Sequence, residues 1–145
     1  MFSKILVPTD GSELSDKAIN AAIDFAQSFG STIVGISVAE PYPFTPLYEG
    51  VSAPESNIYE DRMLDLAQLH VQKVADAAKE AHVPCETFTT QSFSPFEEIV
   101  AASKKYRCDA IFMASHGRKG LNKLFLGSET QKVLAHTTLP VLVLR

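Results

Sequence analysis

The sequence predicts an α/β fold: an open, doubly wound sheet of five parallel strands in the order 3-2-1-4-5, with helices on both faces. Three observations predict it. Lys4-Ile-Leu-Val7 is a continuous aliphatic run, which suits a parallel strand buried on both faces. Strand-like and helix-like patterns then alternate along the chain as β-α-β-α-β-α-β-α-β. Short turns join the first strand, helix and strand, which makes a βαβ unit with a right-handed crossover.

The first strand runs into Pro8-Thr9-Asp10-Gly11. Leu14, Ala18, Ala22, Phe25, Ala26 and Phe29 then recur at helical spacing. Ser12 caps this helix, Asp16 offsets the dipole in its early turns, and Gly30 stops it. Thr32 to Val38 is the second strand. Pro41, Pro43, Pro46 and Pro54, with Tyr42, Phe44 and Tyr48 among them, exclude regular structure and predict one long loop. A long helix from Ile58 to His82 carries Met63, Ala67, Val71, Val74 and Ala78 as its apolar stripe and ends at Val83-Pro84. Cys85 to Gln91 is the third strand. Ser94 caps the next helix, Pro95 takes its first position and Glu97 closes a capping box. That helix buries Phe96, Ile99 and Val100 and ends near Tyr106. Asp109 to Met113 is the fourth strand, Ser128 to His136 the last helix, and Pro140 to Leu144 the fifth strand.

Composition bounds the function. A chain of 145 residues fits one domain, 1–145, with room for its own core. With 46% hydrophobic and 21% charged residues it is not globally disordered. A net charge of −4 argues against a nucleic-acid binder. No apolar run reaches the roughly 20 residues that cross a bilayer, so no membrane partner is expected. The opening Met1 to Ser12 lacks the pattern of a secretory signal. Cys85 and Cys108 have no ligand spacing and read as buried free thiols at strand starts. A reducing, cytoplasmic setting is the expectation.

Two strand orders are common for five parallel strands; in the expected one, 3-2-1-4-5, the winding reverses between strands one and four. Ligands sit at the carboxyl ends of strands at such a reversal. The loops there are residues 8–12 and 114–127, which carry the most unusual chemistry in the chain. Residues 114–132 hold Arg118, Lys119, Lys123 and Lys132 against Glu129, a local +3 in a chain of −4. Gly117, Gly120 and Gly127 let a backbone approach a ligand closely. Gly127-Ser128 opens the last helix, and a helix N-terminus attracts anions. Phosphate is the natural guest. The competing reading is a surface loop with a glycine turn and a Ser N-cap. Neither G-x-x-x-x-G-K-[ST] nor G-x-G-x-x-G after the first strand is present.

Over essentially its whole length the chain resembles a single-domain universal stress protein. Ile5-Leu-Val-Pro-Thr-Asp-Gly-Ser12 resembles that family's first strand and turn. The family's nucleotide motif, G-x2-G-x9-G-[ST], is matched as Ala114-x2-Gly117-x9-Gly127-Ser128, with alanine replacing the first glycine. The resemblance implies an ATP site, with AMP and ADP as alternatives and Mg2+ only as the nucleotide's companion. It implies that Asp10 meets the ribose or adenine side and that Val38 offers backbone groups to the adenine edge. Met113 and Ala114 would line base and sugar. Gly117, Gly127, Ser128 and the Glu129 amide would hold phosphates. Pro8 and Thr9 of the first turn, with His116 and Arg118, complete the candidate set. The Glu129 carboxylate would repel a phosphate unless it points away; in the first helical turn it also offsets the dipole.

Several residues have plainer readings. Asp10 could be only a turn acid or an alternative cap. His116 is a phosphate contact or a turn residue. It has no partner at metal-ligand spacing, and with Ser115 it lacks a third orienting group, so no metal and no catalytic residue is expected. Arg118 and Lys119 reach terminal phosphates or form a solvated basic loop. His70, His82 and His136 read as surface or helix-end residues. Val141 to Leu144 is a short apolar edge that invites pairing with another chain; in the resembled family it helps form a homodimer, and the alternative is an edge covered by the preceding helix. The resulting expectation is a cytoplasmic, ATP-binding stress-response sensor. Its alternatives are a slow ATPase or phosphotransferase, and a nucleotide-free dimeric module whose site Ala114 and Glu129 have closed.

Overall fold

Nine elements alternate along the chain in the computed structural model, which describes residues 1–43, 53–118 and 125–145. They are β1 (Lys4–Pro8), α1 (Glu13–Phe29), β2 (Thr32–Ala39), α2 (Ala53–Glu80), β3 (Cys85–Gln91), α3 (Pro95–Lys105), β4 (Ala110–Ala114), α4 (Ser128–His136) and β5 (Val141–Leu144). The strands form one sheet in the order β3-β2-β1-β4-β5, all parallel. The open, doubly wound α/β sheet expected from the sequence is the one observed. Phe44, Pro46 and Tyr48 of the proline-rich stretch, and Lys119, Gly120 and Lys123, lie outside the described residues.

Side chains alternate across the sheet with period two, and each face buries its own core. Ile5, Val7, Ile33, Ala110 and Phe112 point toward α1 and α2, where they meet Ile19, Ala22, Val74 and Ala78. Leu6, Val34, Ile36, Ile111 and Met113 point the other way, toward α3 and α4, where Ile99, Ala102 and Val133 wait. Ile5, Leu6 and Val7 are all fully buried, as a central parallel strand covered on both faces requires. Among the described residues, no helix is long and apolar enough to cross a membrane.

Local signals set most boundaries. Ser12 caps α1 by accepting from the Ser15 amide at 3.2 Å, and Gly30 ends it at φ 72°. The Asp109 carboxylate accepts from the Ser3 and Lys4 amides at 2.7 and 3.1 Å. It therefore serves β1, and β4 begins one residue later than expected. Cys108 is buried and Cys85 half-buried, both free; burial raises both thiols to about 11.

Two expectations are corrected. The long helix starts at Ala53 rather than Ile58, so Pro54 belongs to its first turn and not to the loop. A proline is tolerated there because the first amides of a helix have no intrahelical partner. The capping box at Ser94 is absent: its side chain makes no cap hydrogen bond. The Phe96 amide instead donates 2.9 Å to the carboxylate of Glu129, on α4.

Two helices end without the glycine their geometry favours. His82 and Arg107 hold φ values of 56° and 54°. Val83 donates to Ala78 and Cys108 to Ser103, each at 2.8 Å, the six-to-one bond of a Schellman stop. A side chain at such a position is strained relative to glycine by about 1 kcal/mol. Replacing exposed Arg107 with glycine is expected to stabilise the fold by about that amount, measured as a higher midpoint of urea unfolding.

Candidate functional site

A cleft opens where the sheet reverses its winding. β1 and β4 are in register only at Ile5 with Ala110 and Leu6 with Ile111. Successive amides of a strand point to opposite neighbours, and the Thr9 amide donates to Ile36 of β2 at 2.9 Å. The nitrogen of Pro8 therefore faces β4, where it has no hydrogen to donate, so one ladder bond is lost just past the last registered pair. Beyond this point the two strands are free to diverge and leave a cavity of about 540 Å3 at their carboxyl ends.

Pro8, Thr9, Asp10, Val38, Met113, Ala114, His116, Gly117, Arg118, Gly127, Ser128 and Glu129 all line this cavity. The structure thus brings every one of these sequence-selected residues to one place. Lys132 does not join them. Its ammonium is 2.9 Å from Glu129 and 5.5 Å from the centre of the Phe96 ring.

Asp10 ties the two loops together. One oxygen of its carboxylate accepts from the Ser12 amide at 3.0 Å, and the other from the Arg118 amide at 2.7 Å. Burial opposes its ionisation. Hydrogen bonds from the Ser12 hydroxyl and the Arg118 amide outweigh that penalty and hold its carboxyl below the ordinary 3.8. Each oxygen still has a lone pair to offer a hydroxyl. Gly117 is required by this contact, since a Cβ there would collide with Asp10 Oδ2. A Cβ on Gly127 would lie 3.0 Å from His116 Cα. Ala114 sits at the end of β4 without a positive φ, so its methyl group causes no backbone strain.

At the N-terminus of α4 the cap is Gly127 rather than Ser128. Gln131 makes the first intrahelical bond, to Gly127, so the amides of Ser128, Glu129 and Thr130 precede it. Thr130 is fixed through its hydroxyl to the Ala114 carbonyl at 2.9 Å, and the Gly127 amide to the Ser115 carbonyl at 2.7 Å. The Glu129 carboxylate turns away from this end, one oxygen bonded to Phe96 and the other to Lys132. The end of α4 therefore keeps its partial positive charge.

The far wall comes from α2 and was not anticipated. Met63, Leu66, Ala67 and His70 line the cavity, with Phe93 at its rim. Met63 and Ala67 belong to the apolar stripe that reads as core, and Ala67 is core as well. His70 differs most from expectation: it is half-buried rather than a surface residue. Its Nε2 is 3.0 Å from an Arg118 guanidinium nitrogen and its Nδ1 is 3.4 Å from Ser37 Oγ. Burial, then the neighbouring Arg118 charge, lowers its pKa below 6.5. No local sequence signal marks it. Among the described residues no group of three His, Cys, Asp or Glu could hold a metal ion.

The universal stress protein family matches residues 1–145. The chain belongs to this family. A universal stress protein of Methanocaldococcus jannaschii, MJ0531, is 32% identical over all of this chain and 83% of its own length. One from Thermus aquaticus is 34% identical over the whole of both. Among solved structures, MJ0577 superposes with a TM-score of 0.82 at 24% identity, over 99% of this chain and 96% of its own. Two universal stress proteins share the fold as ligand complexes. One, with cAMP, has a TM-score of 0.71 at 19% identity over 99% and 97% of the two chains. The other, from Archaeoglobus fulgidus with dAMP, has a TM-score of 0.63 at 16% identity over 99% and 98%.

The shared cap at Glu129 gives a test. Glu129→Ala removes the acceptor of the Phe96 amide and is expected to cost about 1 kcal/mol, as lost helix caps do. Ser94→Ala, whose hydroxyl caps nothing, should change stability by less than about 0.5 kcal/mol. Urea unfolding of the two variants measures both.

Proposed function

We propose that this universal stress protein is a regulatory switch that binds an adenine nucleotide in the cavity between β1 and β4. ATP is the first candidate, with AMP and ADP as alternatives and Mg2+ only as the companion of the nucleotide. The observation that carries the reading is the joint presence, in one cavity, of the Asp10 carboxylate, the close-approach glycines Gly117 and Gly127, and the amide-presenting end of α4. A ribose offers hydroxyls to a carboxylate, and phosphate oxygens suit a helix N-terminus. The cAMP and dAMP complexes of two proteins with this fold support an adenine ligand.

In this reading Asp10 accepts from the ribose, with Pro8 and Thr9 holding its turn. The backbone of Val38 meets the adenine edge, and Met113 and Ala114 line base and sugar. The amides at Gly117, Ser128 and Glu129 take the phosphates, while Gly127, whose own amide is held by the Ser115 carbonyl, lets them approach closely. His116 and Arg118 lie beside them. The output is the bound state and not turnover, in a cytoplasmic setting. Acid extraction of the purified protein is expected to release an adenine nucleotide, and calorimetry to show ATP or AMP binding that Gly117→Val abolishes by pushing on Asp10. No binding at millimolar nucleotide rejects the reading and favours a nucleotide-free module. Turnover faster than about 1 per second favours an enzyme.

The same reading includes a homodimer through β5. Val141–Leu144 is an edge strand paired only with β4, and Leu142 is 45% exposed on it. Unpaired edges of this kind accept a second strand. Sedimentation is expected to give a dimer at micromolar concentration and a monomer for Leu142→Lys; a monomeric parent protein rejects the dimer.

A further inference from the structure

We propose that His70 is a positioning residue of the nucleotide site: as a neutral imidazole protonated on Nδ1, it accepts from the Arg118 guanidinium through Nε2 and fixes that arginine at the wall of the cavity that receives the phosphates. The proposal rests on the adenine-nucleotide reading of the cavity and adds a residue to it.

The geometry constrains the chemistry. A guanidinium has five N–H donors and no acceptor, so the 3.0 Å contact between Arg118 and His70 Nε2 requires a bare lone pair on that nitrogen. The proton then sits on Nδ1, which faces the buried hydroxyl of Ser37 at 3.4 Å. The ring is also packed from one side. It lies against Gly11, where any Cβ would collide with its Cδ2 and Nε2. Gly11 holds φ 76°, so the turn that carries Asp10 also seats His70.

Arg118 is exposed, and an exposed arginine ordinarily samples many rotamers. Here both of its ends are held. The backbone amide donates to Asp10 and the guanidinium to His70 on the opposite wall. The remaining N–H groups are free of that contact and available to an anion. A cation oriented before the ligand arrives spares the ordering cost that binding would otherwise meet. Protonation of His70 would leave two donors and two like charges face to face. The charged groups around the ring are Arg118, Asp10 on the first loop, Asp16 on α1 and Lys73 on α2, the last two paired with each other at 3.0 Å. The lowered pKa of His70 agrees with a ring kept neutral beside Arg118.

Calorimetry with ATP and with adenosine, near pH 7.5, tests the proposal on the full chain. His70→Phe and Arg118→Ala are each expected to weaken ATP binding about tenfold, and the double variant no further, because both remove one coupled interaction. Adenosine, which has no phosphate, should change by less than about threefold. His70→Gln, whose amide oxygen can accept, should recover most of the loss. In the ligand-free protein, NMR of the His70 ring should show the Nδ1–H tautomer titrating below 6.5, and Arg118→Ala should bring it back toward 6.5. Equal losses for ATP and adenosine, additive losses in the double variant, or an Nε2–H tautomer would overturn the proposal while leaving nucleotide binding intact. A parent protein that binds neither ligand overturns the nucleotide reading and this proposal with it.

Discussion

Everything in this molecule is arranged around the burial of β1 on both faces. Ile5, Leu6 and Val7 have no exposed surface, so helices must cover the sheet on each side of them. Parallel neighbours on both edges require crossover connections, and right-handed crossovers put α1 and α2 on one face and α3 and α4 on the other. The winding must then reverse next to β1. That reversal leaves the loops after β1 and β4 without a covering connection, and the missing amide of Pro8 removes one ladder bond between the two strands. The cavity is a consequence of how the core is built.

Charge follows the same geography. The chain is acidic overall, yet Arg118 and the amide-presenting start of α4 bring positive character to the cavity. Asp10 is the counterweight. Its carboxylate holds the Arg118 amide across the gap, so one half-buried acid fixes the spacing of two loops that share no strand register at that height. Glu129 does the reverse: it sits at the cavity and directs its charge out of it, into the first turn of α3 and onto Lys132. One residue thereby caps a neighbouring helix and leaves the amides of its own helix uncovered. α3 and α4 are joined by that cap, so the N-terminal end of α4 is braced by the packing of α3.

Much of this was legible in the sequence, for reasons that can be named. The parallel α/β sheet followed from the continuous apolar run at β1 and the alternation of elements, and the few windings such sheets allow narrowed the strand order to two, of which 3-2-1-4-5 is observed. Ser12 and Gly30 were readable because caps act within three or four residues. The same locality explains the failures. Ser94-Pro95-Phe96-Glu97 has the composition of a capping box, but a carboxylate from another helix takes the amide. Pro54 lies in a proline-rich stretch, but the first turn of a helix has no amide for it to lose. The first correction comes from competition between a local partner and one supplied by the fold; the second comes from a helix end whose first amides have no intrahelical partner to lose.

The sequence by itself determined the type and order of the elements, most of the apolar residues that face inward (Phe29 at the end of α1 is exposed), and the two loops that carry unusual chemistry. These depend on periods of two and 3.6 residues and on short-range caps, all of which are properties of neighbouring positions. Only the tertiary structure decided what those loops touch. Asp10 and Arg118 are 108 positions apart, Arg118 and His70 48, and Phe96 and Glu129 33. No spacing rule links such residues. They meet because packing the sheet between two helix layers leaves each one polar group within reach of another, and a partly buried polar group is stable only where it finds a partner.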